Sequence, residues 1–254
     1  MKNIFLKSFA VLAAGFMLGA CDKNAIEDYN EPANSGAYIK FAHAAAEAPA
    51  VNFYLGSTKV SALVPKSSGE LQGLEYTASP VFPASYGYAN VAAGNQTLQA
   101  IATPGAGGAV LANAQLTLNE GDYYTSYLIG GNGAFETLTL QDELPAENYA
   151  QSHIRFVNLM QDAAAGINAT VIRKATSEKP EARTQLGNAV AVKGNTAYVG
   201  LEPQGSFEVE FKQEGSETVL LKTASFSPLA GRVYTIVLRG SAAGAASSVL
   251  YRDR

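Results

Sequence analysis

The chain has 254 residues, 47% of them hydrophobic and only 16% charged, with a formal net charge of −4. That balance excludes a disordered chain and a strongly basic nucleic-acid binder. One cysteine and two histidines exclude an intrachain disulfide and a zinc site built on several cysteines, so neither a metal nor a cofactor is expected.

The first twenty residues read as a secretory signal peptide. Lys2 and Lys7 supply the positive start, and Phe9 to Ala20 is an apolar run too short for a membrane span. Leu18-Gly19-Ala20-Cys21 resembles the lipobox of bacterial lipoproteins. The resemblance implies that the Cys21 thiol carries diacylglycerol and that cleavage frees its amine for further acylation. Two or more acyl chains anchor stably, at roughly 0.8 kcal/mol per buried CH₂. The expected location is therefore the cell envelope, membrane-attached without a spanning helix. Asp22, Glu27 and Asp28 are similar to surface-export signals, whereas an Asp directly after the cysteine is similar to an inner-membrane retention signal. The outer membrane is the expectation. Residues 21–36 are polar apart from Ile26 and Tyr29 and read as the lipidated Cys and a flexible tether.

Beyond the tether, period-two alternation dominates. It is present in Tyr38-Ile39-Lys40-Phe41, Val51 to Leu55, Gln96 to Ala100, Gln115 to Leu118 and Ser206 to Phe211. Such spacing buries one face of a strand and leaves the other wet. Turn signals punctuate the runs at Gly56, Gly94-Asn95, Gly130-Gly131-Asn132-Gly133 and Glu214-Gly215. No long amphipathic helix is found, and Pro49 argues that Ala42 to Ala50 is a loop. The same pattern occurs twice. Ile39-Lys40-Phe41-Ala42-His43 matches Ile154-Arg155-Phe156-Val157-Asn158, and Tyr88 parallels Tyr198. Gly121-Asp122-Tyr123-Tyr124-Thr125 matches Gly231-Arg232-Val233-Tyr234-Thr235. The fold class expected is all-β: two tandem antiparallel β-sandwich domains, Ig-like or transthyretin-like, at 37–140 and 152–254. Residues 141–151, with Asp142, Glu143 and Glu147, read as a solvated linker. Residues 37–151 carry three lysines against nine acids, a net −6, whereas 152–254 carry twelve basic residues against nine acids, a net +3. Opposite signs are expected to help the two units touch.

Ile39 to Ala44, followed by Glu47-Ala48-Pro49-Ala50-Val51 and by the Gly-x-x-Tyr-Thr segments at Gly121 and Gly231, resembles the bacterial domain-of-unknown-function family 4397. The family opens on an apolar strand ending in His-Ala. An acid-Ala-Pro loop and a second strand follow. The second copy departs from this, with Asn158 in place of the His and no Pro in 163–166. The resemblance implies a secreted or lipid-anchored protein, often of tandem domains, with no assigned activity.

Little local chemistry stands out. Neither His43 nor His153 lies near a Gly-x-Ser-x-Gly elbow, and both read as strand-edge residues that tie a loop. Gly130 to Gly133 precedes a strand-like run and reads as a hairpin turn rather than a phosphate loop. Trp is absent and there are 13 tyrosines. Tyr86, Tyr88, Tyr123, Tyr124 and Tyr127 are the candidate stacking surface, with core packing as the alternative use of the same rings. The function expected is a non-catalytic, lipid-anchored envelope module that binds a protein or a polysaccharide. An adhesive subunit similar to the fimbrillins is the alternative, although no Arg precedes Arg155 to serve their Arg-specific maturation. A glycan- or peptide-acting enzyme comes third. Replacement Cys21→Ser is expected to move the folded protein from the membrane pellet to the soluble fraction on cell fractionation. Persistence of the variant in the pellet would refute the anchor.

Overall fold

The computed structural model describes residues 35–61, 72–78, 80–84, 86–241 and 244–254. The signal segment, Cys21 and all but the last two residues of the tether lie outside the described residues. Ser35–Arg254 forms one compact unit, and among the described residues it is built of strands with one short 3₁₀ turn at Pro104–Ala106. No helix there is long and apolar enough to cross a membrane.

The alternating segments become strands that pair into four sheets. In the first half these are β1 (Ala37–His43), β2 (Val51–Leu55), β3 (Thr58–Lys59), β4 (Val81–Phe82), β5 (Ala89–Val91), β6 (Gly94–Ala102), β7 (Val110–Leu118), β8 (Tyr123–Gly131) and β9 (Ala134–Gln141). The second half supplies β10 (Ser152–Met160), β11 (Ile167–Arg173), β12 (Ala182–Val190), β13 (Val199–Leu201), β14 (Phe207–Gln213), β15 (Val219–Lys222), β16 (Val233–Gly240) and β17 (Ser247–Arg252). An outer sheet β3-β2-β6-β7 covers an inner sheet β4-β1-β8-β9, with β5 also paired to β1. The second half repeats that order as β12-β11-β14-β15 over β13-β10-β16-β17.

Each outer and inner sheet close on their own core. Ile39, Phe41, Phe53, Leu98 and Leu128 fill the first, and Phe156, Val171, Val209, Phe211 and Ile236 the second. The all-β sandwich reading therefore stands. One pair in each inner sheet departs from the antiparallel rule: β1 runs parallel to β8, and β10 to β16. The chain crosses the outer sheet between the two members of each pair, so no hairpin fixes their relative direction.

The two inner sheets pack on each other through Ala42, Tyr127, Ile129, Val157, Leu159 and Val237, giving four layers. Burial follows from this. The outer strand β14 alternates as expected, but β16 is buried at every position. Lys40, whose face the alternation predicts to be wet, is 1% exposed, because the second half covers that face.

Its charge is met from across the seam. Lys40 Nζ lies 2.6 Å from Asp253 Oδ1, and Arg155 pairs reciprocally with Asp142. Asp142 is 3% exposed, not the solvated linker acid that its acidic neighbours suggest. Each carboxylate also accepts from its own half. Thr125 (2.5 Å) and Tyr88 (2.9 Å) donate to Asp142, and Thr235 (2.6 Å) and Tyr198 (3.2 Å) to Asp253. Each cation sits over a ring, Lys40 over Tyr88 at 4.7 Å and Arg155 over Tyr198 at 4.9 Å. Burial alone would lower the Arg155 pKa, but the facing Asp142 carboxylate, together with Tyr198, Tyr127 and Asp253, outweighs it and holds the guanidinium charged. Burial, with Asp253 and Asp142 nearby, pushes the Tyr88 hydroxyl far up, so it stays a donor.

The recurring Gly-x-x-Tyr-Thr segments now have a cause at each position. Gly121 and Gly231 take φ of 80° and 75°, which favours glycine. The Tyr124 and Tyr234 hydroxyls accept from the backbone N–H of Asn119 and Leu229, five residues upstream, and fix the turn. Thr125 and Thr235 reach the buried carboxylates.

His43 is fully buried beside this seam. Its Nε2 bonds the Pro49 carbonyl at 3.1 Å, which ties the loop as the sequence suggests. Its own carbonyl accepts from Arg239 at 2.7 Å. Arg239 also donates to the Tyr76 carbonyl and lies 3.8 Å from the Tyr76 ring. Burial, and secondarily Arg239, lower the His43 pKa below 6.5. At the matching position Asn158 donates to the Val190 carbonyl and carries no charge.

Two outcomes follow. Lys40→Met leaves Asp253 buried without its cation and is expected to cost about 3–5 kcal/mol in urea unfolding, while Lys40→Met/Asp253→Leu is expected to cost less than the single change. His43 is neutral in the fold and takes a proton more readily when unfolded. Its contribution is therefore whole above about pH 6.5 and lost as pH falls below that. The drop in Tm between pH 7.5 and pH 5 should shrink in His43→Asn.

Candidate functional site

At one end of the seam the chain brings four tyrosine rings together. Tyr38 and Tyr123 are opposite one another in the parallel β1–β8 pair and stack at 4.7 Å with an interplanar angle of 13°. Tyr88 meets Tyr123 edge-on at 5.0 Å, held there by its bond to Asp142. Tyr86, two residues earlier, is 55% exposed, and the Arg252 guanidinium lies 4.1 Å from its ring centre. Gly87 joins the halves by donating its N–H to the Asp253 carbonyl at 3.2 Å. Leu144, Arg232 and Arg254 complete the walls of a cleft of about 280 Å³.

Of the sequence candidates, Tyr86, Tyr88 and Tyr123 are thus brought together, although Tyr86 and Tyr88 lie ahead of β5 and not within a strand. Tyr124 and Tyr127 take no part. Tyr124 is turned into the first sandwich core and Tyr127 into the contact between the inner sheets. An inner strand is covered on both faces, so only a ring at its end, such as Tyr123, reaches the surface. Tyr38 and the arginines escaped the sequence reading. Tyr38 earns its place from the β1–β8 register, which alternation within one strand does not reveal. Asp142 and Asp253 were signalled only by their similar distances beyond the matched Gly130 and Gly240.

The buried carboxylates next to the cleft are committed. Asp253 gives Oδ1 to Lys40 and Oδ2 to Thr235 and Tyr198. His43 lies in the seam with its ring on Pro49, and His153 is partly buried with Arg254 near it, both lowering its pKa. Among the described residues no group of three or more His, Cys, Asp or Glu side chains gathers as a metal site would require. A second hollow, about 460 Å³, lies on the open face of the β12-β11-β14-β15 sheet. It has no aromatic lining, and four of its five charged side chains pair with each other, Arg183 with Glu210 at 2.8 Å and Lys212 with Glu217 at 3.3 Å. The aromatic cleft, which joins ring surface to convergent polar groups, has the composition of a ligand site.

Comparisons with known proteins bear on the family. A carbohydrate-binding module of family CBM26 from Eubacterium rectale, solved with maltoheptaose, is similar over 84% of this chain and 96% of its own, at 10% identity and a TM-score of 0.26. A candidate cell-adhesion protein from Bacteroides ovatus is similar over 87% of this chain and 98% of its own, at 11% identity and a TM-score of 0.30. Another from Bacteroides eggerthii covers 89% and 98%, at 11% identity and a TM-score of 0.27. No curated protein sequence matches the chain. The sequence profile described as "Domain of unknown function (DUF4397)" matches residues 37–165, the whole first half together with β10. With just over half its length matched, and with its opening strand, loop and closing strand in the order that the family resemblance implies, the chain belongs to the DUF4397 family.

Proposed function

We propose that this protein is a non-catalytic binding module held at the bacterial cell envelope by acyl chains on Cys21, and that it binds saccharide in the tyrosine cleft. The reading takes residues 1–20 as signal peptide, 21–36 as lipidated Cys and tether, and 37–140 and 152–254 as two tandem copies of one domain joined through 141–151. It places the protein at the outer membrane.

The observation that carries the binding role is the convergence of Tyr38, Tyr86, Tyr88 and Tyr123 on one cleft while the neighbouring carboxylates are locked in ion pairs. Tyr rings present a broad apolar face and a polar tip, which suits a sugar ring with one apolar face and hydroxyl edges. A pair of free carboxylates, as glycoside hydrolysis uses, is not offered there: Asp142 and Asp253 are each bound to a cation and to two hydroxyls. The repeated strand order and the matching Gly-x-x-Tyr-Thr segments support the tandem reading.

The test is a glycan array probed with the lipid-free Cys21→Ser chain, followed by calorimetry on the best binder. Tyr86→Ala removes an exposed ring with little effect on folding and is expected to weaken binding roughly tenfold, about 1.4 kcal/mol. Binding unchanged in that variant would remove the cleft from the reading, and an array without any bound glycan would remove the saccharide.

A further inference from the structure

The two halves are related by strand order and register, so the seam has two corresponding ends. Position by position they differ in chemistry. Tyr38 corresponds to His153 and Tyr123 to Val233, by the matched registers of β1–β8 and β10–β16. Tyr86 corresponds to Thr196 by its distance from the matched tyrosines Tyr88 and Tyr198. The charges differ as well. Arg252 faces Tyr234 where Gln141 faces Tyr124, Arg254 stands where Glu143 does, and Arg232 where Asp122 does. The shared scaffold of ion pairs and threonines is present at both ends. Rings and arginines gather at one.

We propose that the tyrosine cleft selects an anionic saccharide, one bearing carboxylate or sulfate groups; this rests on the saccharide reading above. Arg232, Arg252 and Arg254 have no ion-pair partner among the described residues, in a chain of net charge −4. The Arg252 guanidinium lies against the Tyr86 ring, and its Nε is buried with no hydrogen-bond partner among the described residues. Arg254 is braced by donating to the Pro145 carbonyl at 2.8 Å. The acid lining the cleft, Asp253, is occupied by Lys40, so it does not neutralise them. Asp122, beside Tyr123 in sequence, is turned to Asn119, Tyr124 and Gln141. A guanidinium stacked on a ring keeps its N–H edges free for a bidentate bond to a carboxylate or sulfate. A saccharide seated in the cleft beside Tyr86 would bring its acidic substituent within reach of that fork.

The experiment uses the lipid-free Cys21→Ser chain against an array of neutral, uronate-bearing and sulfated oligosaccharides. Calorimetry then follows on the best acidic binder and on an uncharged form of the same oligosaccharide, methyl-esterified or desulfated. The expected result is at least a roughly tenfold loss of affinity on removing the ligand's charge. A comparable loss is expected in Arg232→Gln, whose side chain is exposed, and in Arg252→Gln. Raising salt from about 50 to about 500 mM should weaken the charged ligand only. Equal affinity for charged and uncharged forms, or binding of neutral glycans alone, would overturn the selectivity and leave the saccharide reading intact. Binding of none would overturn both.

Discussion

Burying a cation requires an anion within reach and further hydrogen bonds to both, because the desolvation of each ion costs several kcal/mol. In this fold neither half meets that requirement alone. Lys40 is supplied by one half and Asp253 by the other, and Arg155 and Asp142 run the opposite way. Separating the halves would strand four buried charges at once. The apolar contact around Tyr127, Ile129, Val157 and Val237 provides non-directional attraction between the inner sheets, and the crossed ion pairs fix how they meet. A shifted arrangement of the same apolar faces would leave charges unpaired, which ties register to electrostatics more tightly than hydrophobic packing alone would.

That constraint also explains why each carboxylate is so heavily ligated. The two threonines and two tyrosines that donate to Asp142 and Asp253 come from the same half as the acid they serve, so each acid is oriented before its cation arrives from the other half. Tyr88 has three roles. Its hydroxyl holds Asp142, its ring lies under Lys40, and its edge meets Tyr123 at the cleft. The cleft is consequently built next to heavily bonded side chains, as a pre-organised site requires.

Most of the strand pattern was legible in sequence because alternation and turn residues act locally. The Gly130–Gly133 hairpin is an example: Asn132 and Gly133 take φ of 53° and 77°, the left-handed pair that a two-residue turn demands. Gly130 and Gly240 were matched by sequence alone, and both have positive φ with no room for a Cβ beside the carbonyls of Ala134 and Ala245. The signal was silent where partners come from far along the chain. Nothing in Tyr38-Ile39-Lys40-Phe41 says that Lys40 is buried, since its anion is 213 residues away. Asp142 resembled a solvated acid because its neighbours Glu143 and Glu147 are of that kind. The cleft was half visible: three of its rings are in the candidate set, while Tyr38 enters only through strand pairing.

The net charges of the halves, −6 and +3, suggested simple attraction between them. The contacts are different. The buried pairs cancel one for one, each half giving one cation and one anion. Lys193 with Glu136 does match the expected polarity at 2.6 Å, but both side chains are about half exposed, and such pairs contribute little. The positive surplus of the second half is therefore left over after assembly. Three of its seven arginines, Arg232, Arg252 and Arg254, stand around the tyrosine cleft, which is lined by rings from the acidic half. A scaffold joined by symmetric, self-cancelling charges can carry an unbalanced charge at one end without weakening its own seam. The surface at that end and the cohesion of the halves can then vary independently, with the corresponding end at Asp122, Gln141 and Glu143 keeping the scaffold while carrying none of these three arginines.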